Sequence, residues 1–201
     1  GEVSYGRSIV KVTNDADKLS LDLSRAQKVG RYYSDDNGLT WTGEEVTADI
    51  YNLFPPKTPA DGKAEPSVYR LFFSSGRICQ SSLIKHGDYY RIYSAITTNC
   101  GSLVLYSDDF GKQWHPLGGP NVQPAPSGDE AKVEELPDGS VLLSCRMFGG
   151  RYFNIYNYAN TTDGSGKWSN VIASTKLDGG TATKNNATNG EILIVPARDR
   201  K

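Results

Sequence analysis

An internal repeat constrains this chain more than any other feature. Ser34-Asp35-Asp36-Asn37-Gly38-Leu39-Thr40-Trp41 recurs as Ser107-Asp108-Asp109-Phe110-Gly111-Lys112-Gln113-Trp114, with the shared pattern Ser-x-Asp-x-Gly-x-x-Trp. A looser third copy, Thr161-Thr162-Asp163-Gly164-Ser165-Gly166-Lys167-Trp168, keeps the hydroxyl, Asp and Trp positions but has Ser165 in place of Gly. The copies begin at residues 34, 107 and 161, so the steps are 73 and 54 residues. Each position has a physical task in a β-hairpin turn. The Asp carboxylate accepts hydrogen bonds from turn amides, and Ser or Thr does so more weakly. Gly supplies a positive φ at little cost. Trp buries its ring beneath the turn while its N–H finds a partner. Such a turn is a staple of the fold and carries no chemistry of its own. Recurrence of one supersecondary unit points to a repeat architecture.

The segments between the turns read as short strands. Candidates are Ser8–Val12, Lys28–Ser34, Val68–Phe73, Ile78–Lys85, Tyr89–Thr97, Ser102–Ser107, Lys132–Glu135, Val141–Arg146, Tyr152–Tyr158 and Glu191–Pro196. Each is rich in β-branched or aromatic residues and flanked by Gly, Asn, Asp or Pro. Asp138-Gly139 and Gly87-Asp88 read as hairpin turns. No long 3.6-residue stripe occurs, and Thr47–Phe54 is expected to form one short helical turn. Many short strands without intervening helices indicate an all-β sandwich, barrel or propeller. The repeat selects the propeller.

Length and charge narrow the function classes. The chain has 201 residues, and 22 Lys+Arg against 23 Asp+Glu leave a net charge of −1. That is enough for one domain and a sizeable core. It gives no electrostatic footprint for nucleic acid or an anionic membrane. No apolar run is long enough for a transmembrane helix, and Gly1–Gly6 has neither the basic nor the apolar part of a signal peptide. The three cysteines, Cys79, Cys100 and Cys145, show no Cys-x-x-Cys spacing. They read as small core residues rather than metal ligands or a disulfide framework. No cofactor or metal is implied.

One stretch suggests chemistry. Val133, Leu136, Val141 and Leu143 build two strands about the Asp138-Gly139 turn. Glu130 lies just before the first strand, and Arg146, sixteen residues on, ends the second. A hairpin brings these ends together on the rim opposite the turn. Taken alone, the pair reads as a surface salt bridge worth little.

The repeat turns resemble Asp-boxes, the turn motif of sialidase-type β-propellers. The run Glu130-Ala131-Lys132-Val133-Glu134-Glu135-Leu136-Pro137-Asp138-Gly139-Ser140-Val141-Leu142-Leu143-Ser144-Cys145-Arg146 resembles the segment of bacterial exo-α-sialidases that carries the catalytic Glu and the second arginine of an arginine triad. Tyr106-Ser107-Asp108-Asp109-Phe110-Gly111 and Asn189-Gly190-Glu191-Ile192-Leu193 are similar to the same family, and the likeness begins near Arg31. The resemblance implies a partial six-bladed propeller, with residues 1–201 as its central portion and Asp-boxes at 34–41, 107–114 and 161–168. At about 50 residues per blade, about four blades are expected.

By the same resemblance, Glu130 is the base that activates a Tyr nucleophile, and Arg146 clamps the substrate carboxylate. The substrate class is the sialylated glycan, and the location is secreted or periplasmic. The family's Arg-Ile-Pro tripeptide is missing. Nothing around Ser8–Asp22 matches the context of its catalytic Asp. Its Tyr and third arginine are not in this chain, and Arg198 and Arg200 lack the surroundings of that arginine. The chain alone is therefore expected to be inactive. Open blade faces and strand edges lead to a further expectation, that it is stable only with the rest of the propeller or an oligomeric mate. Two alternatives carry different chemistry. A non-catalytic Asp-box propeller would bind glycans or proteins. An unrelated glycosidase would place a second carboxylate ~5–9 Å from Glu130, without an arginine cluster.

The remaining candidates are weaker. Gln80 lies on a strand that resembles a pocket-side strand of the family, although a solvated strand residue would look the same. His86 and His115 read as surface turn residues. Tyr89, Tyr90 and Tyr93 read as blade packing. Gly149-Gly150 could let a ligand approach the backbone closely, or could form a plain loop. Asn160 and Asn186 begin glycosylation sequons.

Overall fold

The computed structural model describes residues 2–3, 7–9, 11–15, 18–22, 29–54, 68, 70–74, 76–175 and 190–195, with side chains at 29–54, 68, 70–74, 76–174 and 190–195. The elements run β1 (Glu2–Val3), β2 (Arg7–Ile9), β3 (Lys11–Asp15), β4 (Lys18–Asp22), β5 (Gly30–Tyr33), β6 (Thr42–Glu45), α1 (Thr47–Tyr51), β7 (Arg70–Phe73), β8 (Cys79–His86), β9 (Tyr89–Thr98), β10 (Gly101–Ser107), β11 (His115–Pro116), β12 (Asp129–Glu135), β13 (Val141–Met147), β14 (Gly150–Asn160), β15 (Ser165–Trp168) and β16 (Ile172–Thr175). Among the described residues the chain is all-β apart from the one short helix.

Two wide meanders dominate. In the first, β11, β10 and β9 pair in order, β7 and β8 share the far edge of β9, and β2 extends β7. In the second, β12, β13 and β14 pair in order, and β15 and β16 share the far edge of β14. β1, β5 and β6 form a third sheet, and β3 pairs with β4. Consecutive antiparallel meanders, five and four strands wide along their main paths, have the build of propeller blades.

Strand alternation shows how they stack. On β9, Ile92 and Ile96 face one buried cluster with Val29, Ile50, Phe54 and Trp114. Tyr93 and Ala95, between them in sequence, face a second cluster with Val133, Val141, Leu143 and Tyr156. The middle sheet is therefore buried on both faces, between the β5 region with α1 on one side and the β12–β14 sheet on the other. A two-residue period gives this result only when both faces meet apolar neighbours.

The turn after β5 and the turn after β10 share one hydrogen-bond network. Ser34 Oγ donates to Asp36 Oδ1 (2.8 Å) and accepts from Gly38 N (2.7 Å), while Asp36 Oδ1 accepts from Thr40 N (2.8 Å). Ser107 Oγ donates to Asp109 Oδ1 (2.8 Å) and accepts from Gly111 N (2.8 Å), while Asp109 Oδ1 accepts from Gln113 N (2.9 Å). Both turns use two consecutive left-handed residues, Asn37-Gly38 and Phe110-Gly111. The third copy differs. β15 begins at Ser165, so the connection is shorter, and Asp163 Oδ1 accepts from Ser165 N at 2.8 Å.

The three tryptophans also differ. Trp114 is 4% exposed and meets Phe73 edge-on. Trp168 Nε1 donates to Leu117 O at 2.8 Å. Trp41 stays 50% exposed, with its Nε1 on Gly38 O.

The Asp36 carboxyl is held at about 2, below its ordinary 3.8, by the Thr40 hydroxyl first, then the Thr40 amide and the Ser34 hydroxyl. A depressed native value means that this carboxylate's contribution is complete above the unfolded value and is lost as pH falls through the folded one. Thermal midpoints of wild type and Asp36→Asn are expected to differ at pH ~5 and to converge near pH ~2. A gap that stays constant across that window would contradict this account.

Two strand expectations change. Ser8–Val12 is divided between two pairings: Ser8 and Ile9 lie in β2 against β7, Lys11 and Val12 lie in β3 against β4, and Val10 lies outside the described residues. Residues 191–195 of the expected Glu191–Pro196 strand form no strand, and Leu193 and Val195 stand exposed. Apolar, β-branched composition favours a strand only where a neighbour supplies the ladder. Pro196, Arg198, Arg200 and the Asn186 sequon lie outside the described residues.

Candidate active site

The β12–β13 hairpin carries the candidate residues Glu130 and Arg146. The Asp138-Gly139 turn closes it, with Asp138 Oδ1 accepting from Ser140 N (3.0 Å) and Oγ (2.6 Å). From there the ladder runs Glu135↔Val141, Glu134↔Leu142, Val133↔Leu143 and Lys132↔Ser144. The next pair is Asp129↔Arg146. Two residues, Glu130 and Ala131, thus face one, Cys145, which defines a β-bulge. The first strand begins at Asp129, so Glu130 lies within the ladder region at its bulge and not before the strand. Its φ is +43°.

Glu130 and Arg146 meet as the hairpin expectation required. Arg146 Nη1 donates to Glu130 Oε2 at 2.8 Å, and both side chains are 28% exposed. Arg146 Nη2 stands 3.9 Å from Asp129 Oδ2. The guanidinium therefore faces two consecutive carboxylates at the rim.

Beneath the rim lies more positive charge. Arg151, paired in register with Arg146 across β13–β14, is 9% exposed and donates from Nε to Ser144 Oγ at 2.9 Å. Lys132, in register with Ser144, is 3% exposed. Burial holds the Lys132 amine below its ordinary value, against the pull of Glu191 and Glu130 and reinforced by Arg151. Burial also lowers the Arg151 guanidinium from its ordinary value. Neither cation stood out in the sequence, because each lies at an alternating strand position that composition does not separate from a solvated face.

The other candidates sit elsewhere. Gln80 is exposed on β8, in register with Ile92, and among the described residues no hydrogen bond joins it to Glu130 or Arg146. His86 is not a plain turn residue. Its Nε2 lies 3.1 Å from Arg91 Nη2 and 3.7 Å from Asp108 Oδ2, because β8 and β9 bring it against a buried arginine. His115 is exposed, with its ring 5.2 Å from that of Tyr106. Tyr93 is fully buried, whereas Tyr89 and Tyr90 are 44% and 40% exposed. Cys79 and Cys145 are buried, and burial pushes their thiols up to about 12 and about 11. Those values describe inert core thiols. Cys100 is half-buried. Among the described residues, no group of three or more His, Cys, Asp or Glu is placed to hold a metal, and no helix is long and apolar enough to cross a membrane.

The chain is similar to a sialidase. The relative is the sialidase of Micromonospora viridifaciens, 34% identical over 116 residues, which are 56% of this chain and 16% of that protein. Two solved structures are also similar. The intramolecular trans-sialidase from Ruminococcus gnavus, in complex with oseltamivir carboxylate, gives a TM-score of 0.46 at 24% identity, over 74% of this chain and 27% of that one. The leech intramolecular trans-sialidase, complexed with 2,7-anhydro-Neu5Ac, gives 0.44 at 18% identity, over 85% and 24%. The similar region is thus a small part of each relative's length. No protein-family model matches the chain.

Proposed function

We propose that this chain is the central part of the catalytic propeller of a secreted or periplasmic exo-α-sialidase, which releases terminal sialic acid from glycoconjugates. The observation that carries the reading is the Glu130–Arg146 pair at the hairpin rim, backed by Arg151 and Lys132. The similarity to a sialidase supports it.

The chemistry follows from the substrate. Sialic acid bears a carboxylate on its anomeric carbon. A planar guanidinium recognises that anion with two parallel hydrogen bonds, and Arg146 takes this role. The same anion repels a carboxylate nucleophile, and sialidases use a Tyr instead. A Tyr hydroxyl ordinarily titrates near pH ~10, so it attacks only with a base beside it. Glu130 accepts that proton. The Tyr oxygen displaces the aglycone, and an Asp acting as acid protonates the leaving oxygen. Water then releases the sugar from Tyr, and two inversions give net retention. The Tyr, the Asp and two further arginines have no assigned counterpart in this chain.

The test is hydrolysis of fluorogenic sialosides of several linkages by the full-length gene product and by the 201-residue chain. Activity is expected in the first and not in the second, with the α-anomer of sialic acid appearing first by NMR. Full-length protein inactive on every linkage would overturn the enzyme reading and leave a propeller that binds glycans or proteins. A β-anomer as first product would overturn the retaining mechanism.

A further inference from the structure

The bulge in β12 gives Asp129 a task beside Glu130. On a regular strand, consecutive side chains point to opposite faces, so Asp129 and Glu130 could not both face Arg146. The extra residue removes that restriction. Asp129 takes the register position opposite Arg146, while Glu130, one residue on, still reaches the same guanidinium.

The bulge has local costs that the sequence around it offsets. Glu130 sits at φ +43°, in the left-handed region that a non-glycine residue occupies only when its surroundings impose it. Its N–H, displaced from the regular ladder, donates to Asp129 Oδ1 at 2.8 Å. On the other side, Gly128 has φ +140°, and a Cβ there would lie 2.8 Å from Cys145 Sγ and 3.1 Å from Arg146 O. The chain can enter the bulge this close to β13 only with glycine at that point.

From these observations we propose that Asp129 is a positioning residue. Through its bond to the Glu130 amide it locks the bulge and holds the Glu130 carboxylate in line with Arg146. The proposal rests on the reading of Glu130 as the base in sialoside hydrolysis. The Asp129 side chain is 46% exposed, so changing it removes no packed core.

The test compares Asp129→Ala and Asp129→Asn in the full-length protein. Asparagine keeps an oxygen that accepts the Glu130 amide, whereas alanine does not. With a fluorogenic sialoside, the alanine variant is expected to lose at least about tenfold in kcat, with KM within about threefold, because the general-base step depends on alignment. The asparagine variant is expected to keep kcat within about threefold. Hydrogen exchange of the peptide covering 129–135, read by mass spectrometry, is expected to accelerate in the alanine variant and not in the asparagine variant.

Wild-type kcat in the alanine variant, equal losses in both variants, or a loss of kcat without faster exchange would each overturn the proposal. If the wild-type full-length protein hydrolyses no sialoside, the functional reading fails by itself. The exchange measurement then decides the positioning role: faster exchange confined to the alanine variant supports it, and unchanged exchange overturns it.

Discussion

Arg91→Ala in the full-length protein is expected to cost about 3 kcal/mol or more of folding stability, the low end of what breaking a buried ion pair costs. The Arg91 side chain is fully buried on β9. Its Nε and Nη2 grip the two oxygens of Asp108 at 2.7 Å each. Nη1 reaches Tyr158 Oη at 3.4 Å, and the guanidinium lies 4.4 Å from the centre of the Tyr106 ring. Tyr158 belongs to β14 and shares a 2.8 Å hydrogen bond with Tyr93 of β9. Arg91 is therefore the hub of a polar cluster that ties the middle sheet to the β12–β14 sheet.

Removing it leaves Asp108 without its two-pronged partner and a cavity between the sheets. Asp108 keeps 26% exposure, so water offsets part of the loss and the lower end of the range applies. Arg91→Lys keeps the charge but not the fork, and should recover only part of the difference. The double variant Arg91→Met/Asp108→Leu removes both charges and should lie closer to wild type than Arg91→Ala does, because no uncompensated charge remains. Urea denaturation with a common m-value measures all four. A loss below about 1 kcal/mol for Arg91→Ala would show that the cluster does not join the sheets.

Arg91 also marks where sequence reading reaches its limit. It stands five residues from His86 and seventeen from Asp108, and no motif joins the three. Their meeting depends on which sheets stack, which is a tertiary fact. The turns at 34–41 and 107–114 are legible for the opposite reason. Every position in them answers a local demand, for an acceptor, a left-handed residue or an aromatic anchor, so the pattern survives without its surroundings.

The Glu130–Arg146 meeting is legible because a hairpin closed by a short turn fixes which residues come together. The bulge is not, since one extra residue leaves the hydrophobic alternation of Val133, Val141 and Leu143 untouched while changing which carboxylates face Arg146. Residues 191–195 fail for a third reason. Ile192, Leu193, Ile194 and Val195 have strand composition, but composition cannot supply a ladder partner.

Glu130→Ala in the full-length protein is expected to lower kcat on sialosides by at least about a hundredfold, the scale of a positioned acid or base. The same change should alter folding stability by less than about 1 kcal/mol, since a partly exposed ion pair contributes little to the fold. Both Glu130 and Arg146 are 28% exposed, so losing the pair strands no deeply buried charge. The contrast between the two effects is the informative part. A pair kept for stability would show the reverse, a lost midpoint with activity falling in proportion.

Glu130→Gln sharpens the point. Its amide oxygen can still accept from Arg146 Nη1, so the rim geometry is preserved while the proton acceptor is gone. If Glu130 serves as the base, the glutamine variant should be as impaired in kcat as the alanine variant, with KM within about threefold of wild type because Arg146 still meets the substrate carboxylate. If Glu130 only orients Arg146, glutamine should restore activity and alanine should raise KM. Kinetics of the two variants on one substrate therefore separate a proton acceptor from a structural partner, and a fully active Glu130→Gln enzyme would remove the base from the proposed mechanism.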